Sequence, residues 1–440
     1  MRKKLSFVCL FLALLMLAMT VLPACGEKPE ETKPETTAQT EPETVAETHP
    51  ETKPETVAET EPETIPETEP ETEAPETKAP ETKAPETKAP ETKAPETKAP
   101  ETKAPETKAP ETEAPKMELL TPANGSMLDL LTEDQHSFLN MDRSKMTVEE
   151  LRTYRKENGI GEKSVSPRIY FTWKDVTKDG YVLEVSETPD FADPTVAESR
   201  KATNYVMNLK VGTTYYWRVN GCEPFTFTTM QSPRFLNING ITNFRDIGGY
   251  TTVDGKTIRQ DKMYRGGKPE GISKTGIQSL VGDLGLKTEI DLRAVGENNE
   301  ILKKSGVKIV YVTMHGVYST FFEKCPKQVK YLFDMLADES NYPFYIHCAG
   351  GADRTGCMVF LLESLLGMSE EDLINDYELT TIANVGALSR NNAEGFAPFY
   401  EQFLSLEGET LSEKAEGYLI NDCGVTAETI AKIKAIMLED

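Results

Sequence analysis

The chain has little positive charge for its length. In 440 residues, 48 Lys and Arg face 72 Asp and Glu, a formal net charge of −24. Binding to nucleic acid rests on clustered Lys and Arg that neutralise phosphates, and no such cluster occurs, so nucleic acid is not an expected partner. Beyond the first 25 residues the chain also lacks any apolar run long enough to cross a bilayer. Between residues 28 and 116 almost nothing is apolar, and from Gly26 to Lys116 there is neither Asp nor Arg. Cysteine is too sparse and too odd in number for a disulfide framework. Seven are present; setting aside Cys9 and Cys25 near the amino terminus leaves Cys222, Cys325, Cys348, Cys357 and Cys423. Five thiols cannot all pair, which fits a free reactive cysteine better than a stapled scaffold. Cys357, on an apolar helical stretch, reads as packing.

What is present begins with "MRKKLSFVCLFLALLMLAMTVLPAC", a basic head, a short apolar core and a small-residue ending. This is the pattern of a secretion signal, and its close resembles a bacterial lipoprotein signal. Cleavage before Cys25 would then expose that residue for lipid attachment, and several acyl chains together hold a protein on a bilayer. The expected location is extracytoplasmic, anchored to the bacterial cell membrane. Residues 26–116 follow as a repeat of Pro, Glu, Thr and Lys that settles into "ETKAP" units, with 25 Glu against 11 Lys. Proline every five residues blocks helix and sheet ladders, so the segment reads as a solvated stalk, partly polyproline II.

Residues 117–231 have a different grammar. "RIYFTWKDVTKDGYVLEVSETPDF" and "TTYYWRVNGCEPFTFTTM" alternate apolar and polar residues around turn signals, which predicts a small antiparallel β-sandwich. "FTWKDV", "YVLEVSETPDF" and "VGTTYYWRV" resemble a fibronectin type III module, whose ligand the sequence does not name. "MTVEELRTYRKENG" reads as a helical insertion, and Trp173 and Trp217 as core anchors rather than a ligand platform.

Residues 232–440 alternate short buried strands ("LKTEIDL", "VKIVYVTM", "YPFYIHC") with helical patterns, including "ISKTGIQSLVGDLG". That order predicts a three-layer α/β domain with a mostly parallel sheet, whose sites lie beyond the carboxyl ends of strands. Ser369 with Asp372 reads as a capping box, and Thr426 as the start of the last helix. The whole chain is therefore expected to be multidomain, a β-sandwich module followed by an α/β catalytic domain.

At one strand end stands "YIHCAGGADRTGCMVF", in the order strand, small-residue loop, helix amino terminus. A loop of small residues turns successive amides inward and makes a nest for an anion, reinforced by the helix dipole. Helix amino termini and nearby cations favour thiolate, the reactive form of cysteine, so Cys348 reads as a nucleophile. Arg354 can grip two phosphoryl oxygens in a fork that Lys cannot reproduce. The expected chemistry is attack of sulfur on phosphorus, with no metal and no cofactor.

"HCAGGADRTG" carries the HCX5R signature of the cysteine-dependent protein tyrosine phosphatase superfamily. "NFRDIGGYTTVDGKTIRQDKMYRGG", "LGLKTEIDLR" and "INDYELT" are similar to the bacterial tyrosine phosphatase family that opens with an N-F-R-D-hydrophobic-G-G motif. The resemblance covers about residues 234–440. It implies Cys348 as nucleophile, Arg354 as phosphate clamp, and the amides of Ala349, Gly350, Gly351, Ala352, Asp353 and Arg354 as the cradle. It also implies that His347 orders the loop and that Thr355 offers its hydroxyl to the sulfur or helps it leave. For the general acid Asp353 is preferred, then Asp291, with His315 behind them, because the segment "HGVYSTFFEK" where many relatives keep this residue has no Asp. The alternative role for Asp291 is a salt bridge to Arg293 or a loop cap. Arg245, Asp246 and Arg265 are expected to brace the cradle through ion pairs rather than to touch substrate. Ala352 stands where the family commonly has Lys, which favours phosphotyrosine over substrates with several phosphates. The expected partners are a phosphorylated protein or a small phosphomonoester. The other readings are an enzyme of phosphoinositides or inositol phosphates, and a surface binding protein that uses the fold to read phosphate.

Overall fold

A computed structural model describes residues 117–440 except 160, 175, 178 and 295–300. The signal segment, the expected lipid-attachment site at Cys25 and the repeat stalk 26–116 lie outside the described residues. All described residues belong to the second of two units, Ala104–Asp440.

The described residues of 117–231 include eight strands: β1 (Leu119–Thr121), β2 (Ser126–Leu128), β3 (Ile169–Trp173), β4 (Tyr181–Ser186), β5 (Thr195–Ser199), β6 (Thr203–Val206), β7 (Thr214–Val219) and β8 (Phe225–Thr229). They form two sheets, ordered β1-β3-β6 and β2-β8-β7-β4-β5. In β4 every second side chain, Tyr181, Leu183 and Val185, is buried while Val182 is exposed, the period of a strand with one wet face. These residues share one apolar cluster with Phe171, Trp173, Trp217, Val219 and Phe227 from both sheets. The Trp217 and Phe171 rings pack in a T-shaped arrangement with centroids 5.0 Å apart. Both tryptophans are buried, so they are core and offer no ligand platform. The pairing is not purely antiparallel as expected, because β2 runs parallel to β8.

Between β2 and β3 come two helices, α1 (Glu133–Leu139) and α2 (Val148–Glu157). Each opens on a reciprocal capping box, Thr132 with Gln135 and Thr147 with Glu150, which satisfies amides the first turn leaves free. Their apolar faces turn away from the two sheets. Phe138 and Leu151 instead pack with Phe235, Leu379 and Ile382 of the following domain.

That domain is built on β9 (Arg245–Asp246), β10 (Thr257–Ile258), β11 (Met263–Gly266), β12 (Thr288–Asp291), β13 (Lys308–Tyr311), β14 (Phe344–His347) and β15 (Leu438–Glu439). Five of them make a sheet ordered β13-β12-β14-β11-β9. The pairs among β13, β12, β14 and β11 are parallel and only β9 is antiparallel; β10 and β15 form a separate ribbon. Successive residues of β14 point to opposite faces: Phe344 and Ile346 enter one core and Tyr345 the other. The first core is roofed by helices α5 (Pro326–Leu336), α6 (Asp353–Leu365), α7 (Glu370–Glu378), α8 (Phe396–Leu404), α9 (Leu411–Asn421) and α10 (Ala427–Met437). The second is closed by the short α3 (Lys274–Ile277), its wider helical continuation Gln278–Asp283, and the segment around Phe244. A further turn, α4 (Phe321–Lys324), precedes α5. From Thr355 to Leu365 every residue of α6 is buried, so this helix forms the spine of the domain.

The caps differ slightly from expectation. The Ser369 hydroxyl accepts from the Asp372 amide and donates to the Asp372 carboxylate at 2.6 Å. The reciprocal half of a box is therefore spent on the cap's own side chain, because Asp is one methylene too short to reach back to the backbone. Thr426 caps α10 as expected.

Candidate active site

β14 ends at His347, the carboxyl end of a central strand, and α6 begins at Asp353. Residues 348–352 cross between them. Gly351 has φ +67°, and a Cβ there would stand 2.1 Å from the Gly266 carbonyl oxygen, so both the turn and the close approach require glycine.

The peptide carbonyls of this loop are held from outside. Ala349 O accepts from Lys268 N at 3.0 Å, Gly350 O from Asn243 Nδ2 at 3.0 Å, and Gly351 O from Arg265 Nη2 at 2.9 Å. With the carbonyls engaged outward, the amides of residues 349–354 are left without a protein acceptor among the described residues. Ala352 caps α6 with no side-chain bond, so the first amides of the helix stay open as well. Backbone amides seek partners, and a set left open at a helix start can receive an anion.

Cys348 sits at the base of this cradle, 2% exposed. Arg354 is half-buried and donates from Nη1 to the Leu292 carbonyl at 3.3 Å. His347 donates from Nδ1 to the Cys348 carbonyl at 3.0 Å, since a carbonyl only accepts, and its Nε2 meets Glu289 Oε1 at 2.8 Å. The imidazole thus fixes the peptide that carries the sulfur.

Behind the cradle lies a buried polar network. Arg245 Nε bonds Asp376 Oδ1 at 2.6 Å, Arg245 Nη1 bonds Asn243 Oδ1 at 2.6 Å, and Arg265 Nη1 bonds Asp376 Oδ2. Burial opposes the charge on Asp376, but Arg245 and Arg265 outweigh it and hold its carboxyl below the usual range. Arg245 and Arg265 therefore brace the loop. Asp246 does not. Its neighbour on the strand faces the cradle, so its own side chain points the opposite way, to Arg234 Nη1 at 2.7 Å and the amides of Gly248 and Asp261. Arg234 in turn donates to the carbonyls of Leu209 and Asn208. Through Arg234, Asp246 secures the junction with residues 208–209 of the N-terminal module.

The carboxylates proposed as acids separate clearly. Asp291 is buried and receives Arg293 Nε at 2.9 Å and Nη2 at 2.7 Å, with the Arg293 amide at 2.9 Å. A carboxylate occupied on both oxygens by a guanidinium has no proton to give, so Asp291 is corrected to a structural ion pair. Asp353 is exposed on the first turn of α6, and its Oδ1 accepts from the Tyr318 hydroxyl, which contacts Tyr377 Oη at 2.9 Å. Burial raises the Tyr318 phenol well above its ordinary range, so it remains a donor. His315 is exposed on the segment after β13. Thr355 is corrected too: its hydroxyl is buried and bonds to no described protein atom, the sulfur included. Cys357 accepts from the Tyr318 amide at 3.4 Å, and burial pushes its thiol up, in keeping with a packing role.

Glu289, Asp291 and His347 place ligand atoms within 4.8 Å of one another, but Arg293 lies on Asp291 and would oppose a cation there. Asn243, Glu289, Tyr318 and Asp376 were not legible as site residues. Asn243, Glu289 and Asp376 carried a signal only by lying inside the motifs "NFRDIGG", "LGLKTEIDLR" and "INDYELT", none of which says what their side chains touch.

Residues 236–439 match the model of the tyrosine phosphatase family. A Cupriavidus necator protein named for tyrosine-protein phosphatase activity is 24% identical over 216 residues, which are 40% of this chain and 79% of that protein. The inositol diphosphatase DSP4 of Arabidopsis thaliana is 28% identical over 119 residues, 26% of this chain and 58% of its own length. Among solved structures, the catalytic domain of the S. cerevisiae PP-IP phosphatase SIW14 aligns with 32% of this chain and 75% of its own, at 23% identity and a TM-score of 0.24. The C-terminal domain is a cysteine-phosphatase fold matching the tyrosine phosphatase family, and the chain is a phosphoester hydrolase.

Proposed function

We propose that the chain is a protein-tyrosine or dual-specificity phosphatase, presented outside the cytoplasm by a lipid anchor at Cys25 and the repeat stalk, with a fibronectin type III-like module ahead of the enzyme. Cys348 attacks phosphorus while the cradle amides and Arg354 take up the charge on the equatorial oxygens. The phosphorus–oxygen bond to the leaving group breaks, Asp353 protonates that oxygen, and phosphocysteine remains. Water then attacks the phosphocysteine, Asp353 accepts its proton, and phosphate and the thiolate are released.

The observation that carries this reading is the composition of the cradle. From Cys348 to Arg354 the one cationic side chain is Arg354, with Ala352 where a second cation would serve a polyphosphorylated substrate. A single dianionic monoester is the matching load. A second reading, phosphoinositides or inositol phosphates, is favoured by the relative named as an inositol diphosphatase. Phosphate release from phosphotyrosine peptides, phosphoserine peptides, inositol phosphates and inositol lipids ranks these directly, with Cys348→Ser as control. Preference for inositol substrates by tenfold or more in kcat/KM would replace the first reading by the second.

A further inference from the structure

Asn243 is the residue through which the cradle is held at Gly350, and its own backbone is unusual. It has φ +58°, a left-handed conformation that Asn tolerates better than most residues but that still needs support. The support comes from the N-terminal module. Asn243 N donates to Glu162 Oε2 at 3.2 Å, and the preceding Thr242 hydroxyl donates to the same oxygen. A third donor, Asn384 N, reaches it at 3.1 Å. The other carboxylate oxygen, Oε1, accepts from Ser164 N at 3.2 Å and from the Ser164 hydroxyl.

Both targets of Glu162 bear on the cradle. The Thr242 carbonyl accepts from Gly267 N at 2.9 Å, next to Lys268 whose amide holds Ala349 O. Val385, adjacent to Asn384, lies over Gly350 so closely that a Cβ on that glycine would be 2.7 Å from Val385 Cγ1. Glu162 thus holds both the 242–243 backbone and the 384–385 segment, each of which touches the loop.

The segment carrying Glu162 is itself fastened. Lys163 N donates to Ile382 O at 2.9 Å. Arg143 Nε meets Glu378 Oε2 at 3.0 Å on α7, the helix that supplies Asp376. Three donors converging on one oxygen suit a carboxylate, whose charge strengthens each bond, and no neutral side chain replaces it fully.

We propose that Glu162 of the N-terminal module is a positioning residue for the phosphatase cradle, setting the place of Gly350 and Gly351 through Asn243 and the 384–385 segment. The proposal rests on the phosphatase reading above, since it assigns the cradle to the phosphoryl group. The N-terminal module is then part of the working enzyme and not merely a spacer.

The test uses the full chain, with Glu162→Ala and the isosteric Glu162→Gln, and reads kcat on p-nitrophenyl phosphate, binding of orthovanadate and thermal midpoint. The expected result for Glu162→Ala is a fall in kcat of at least about tenfold and a comparable weakening of orthovanadate per folded molecule, with Glu162→Gln between it and the wild type. Unchanged kcat and orthovanadate affinity in folded Glu162→Ala would overturn the proposal. So would a lowered thermal midpoint with orthovanadate affinity intact, which marks a purely structural residue. Should Glu162→Ala not fold, Glu162→Gln carries the same two readouts. If the wild-type chain turns over no aryl phosphate, orthovanadate binding still reports on the cradle, so failure of the phosphatase reading is distinguished from failure of this one.

Discussion

Tyr318 donates its hydroxyl proton to Asp353, tying the segment after β13 to the first turn of α6. In the proposed reaction this carboxyl group serves the leaving oxygen. Replacing Asp353 by Asn keeps the shape and removes the transferable proton. Turnover of alkyl or phenyl phosphates, which are poor leaving groups, is expected to fall by roughly 10²-fold or more, and turnover of activated aryl phosphates by much less. A leaving-group series measured on both proteins gives the answer; equal losses across it would remove Asp353 as the acid.

Cys348→Ser should lower turnover by at least about a thousandfold while phosphate or orthovanadate still binds, since the amides that make the cradle belong to the backbone. Arg354→Lys keeps the charge but loses the fork, and kcat should drop about a hundredfold with a smaller change in KM. Steady-state kinetics beside a binding titration separate the two effects.

Asp376→Ala leaves Arg245 and Arg265 charged and buried without their shared partner. Stability should fall by about 3–5 kcal/mol, read as a lower denaturant midpoint in guanidinium unfolding. The surviving folded molecules should bind phosphate more weakly, because Arg265 also holds Gly351 O.

Glu363 on α6 is buried with Oε1 unpaired, and burial, then the nearby Asp376 charge, raise its carboxyl well above the ordinary range. The folded state keeps a proton that the unfolded chain releases above about pH 4.3, so stability should decline as pH rises from there toward the folded value, by up to about 1.4 kcal/mol per pH unit. Glu363→Gln cannot titrate. Its denaturant midpoint should gain on the wild type as pH is raised from about 5 to about 7, and parallel curves would refute this.

The strand, loop and helix that carry Cys348 were legible because their signals are local: an apolar run, glycines, then an apolar helix. Strands β3, β4, β7 and β8 were legible for the same reason, through their period of two, whereas β1, β2, β5 and β6 were not read as strands. What surrounds the cradle was not, since Asn243 and Gly350 lie 107 residues apart and Arg245 and Asp376 131 apart, and one sequence does not reveal which distant residues meet. Asp246 shows a finer limit: its place in a motif said that it matters, but strand alternation sends it to the opposite side from Arg245. Helix α1 was missed although "TEDQ" spells its capping box, because its apolar face answers to Leu379 and Ile382 rather than to anything nearby in the chain.

The carbonyls of the catalytic loop are fastened by residues brought in from far along the polypeptide, and this has a bearing on synthesis. Arg265 reaches Gly351 across 86 positions, and the Asp376 that anchors Arg265 is made after α6 is complete. Closing such long loops is entropically costly and comes late. A chain still emerging from the ribosome, or cut before α7, would carry the whole HCAGGADRTG signature and yet have no formed receptor for phosphate.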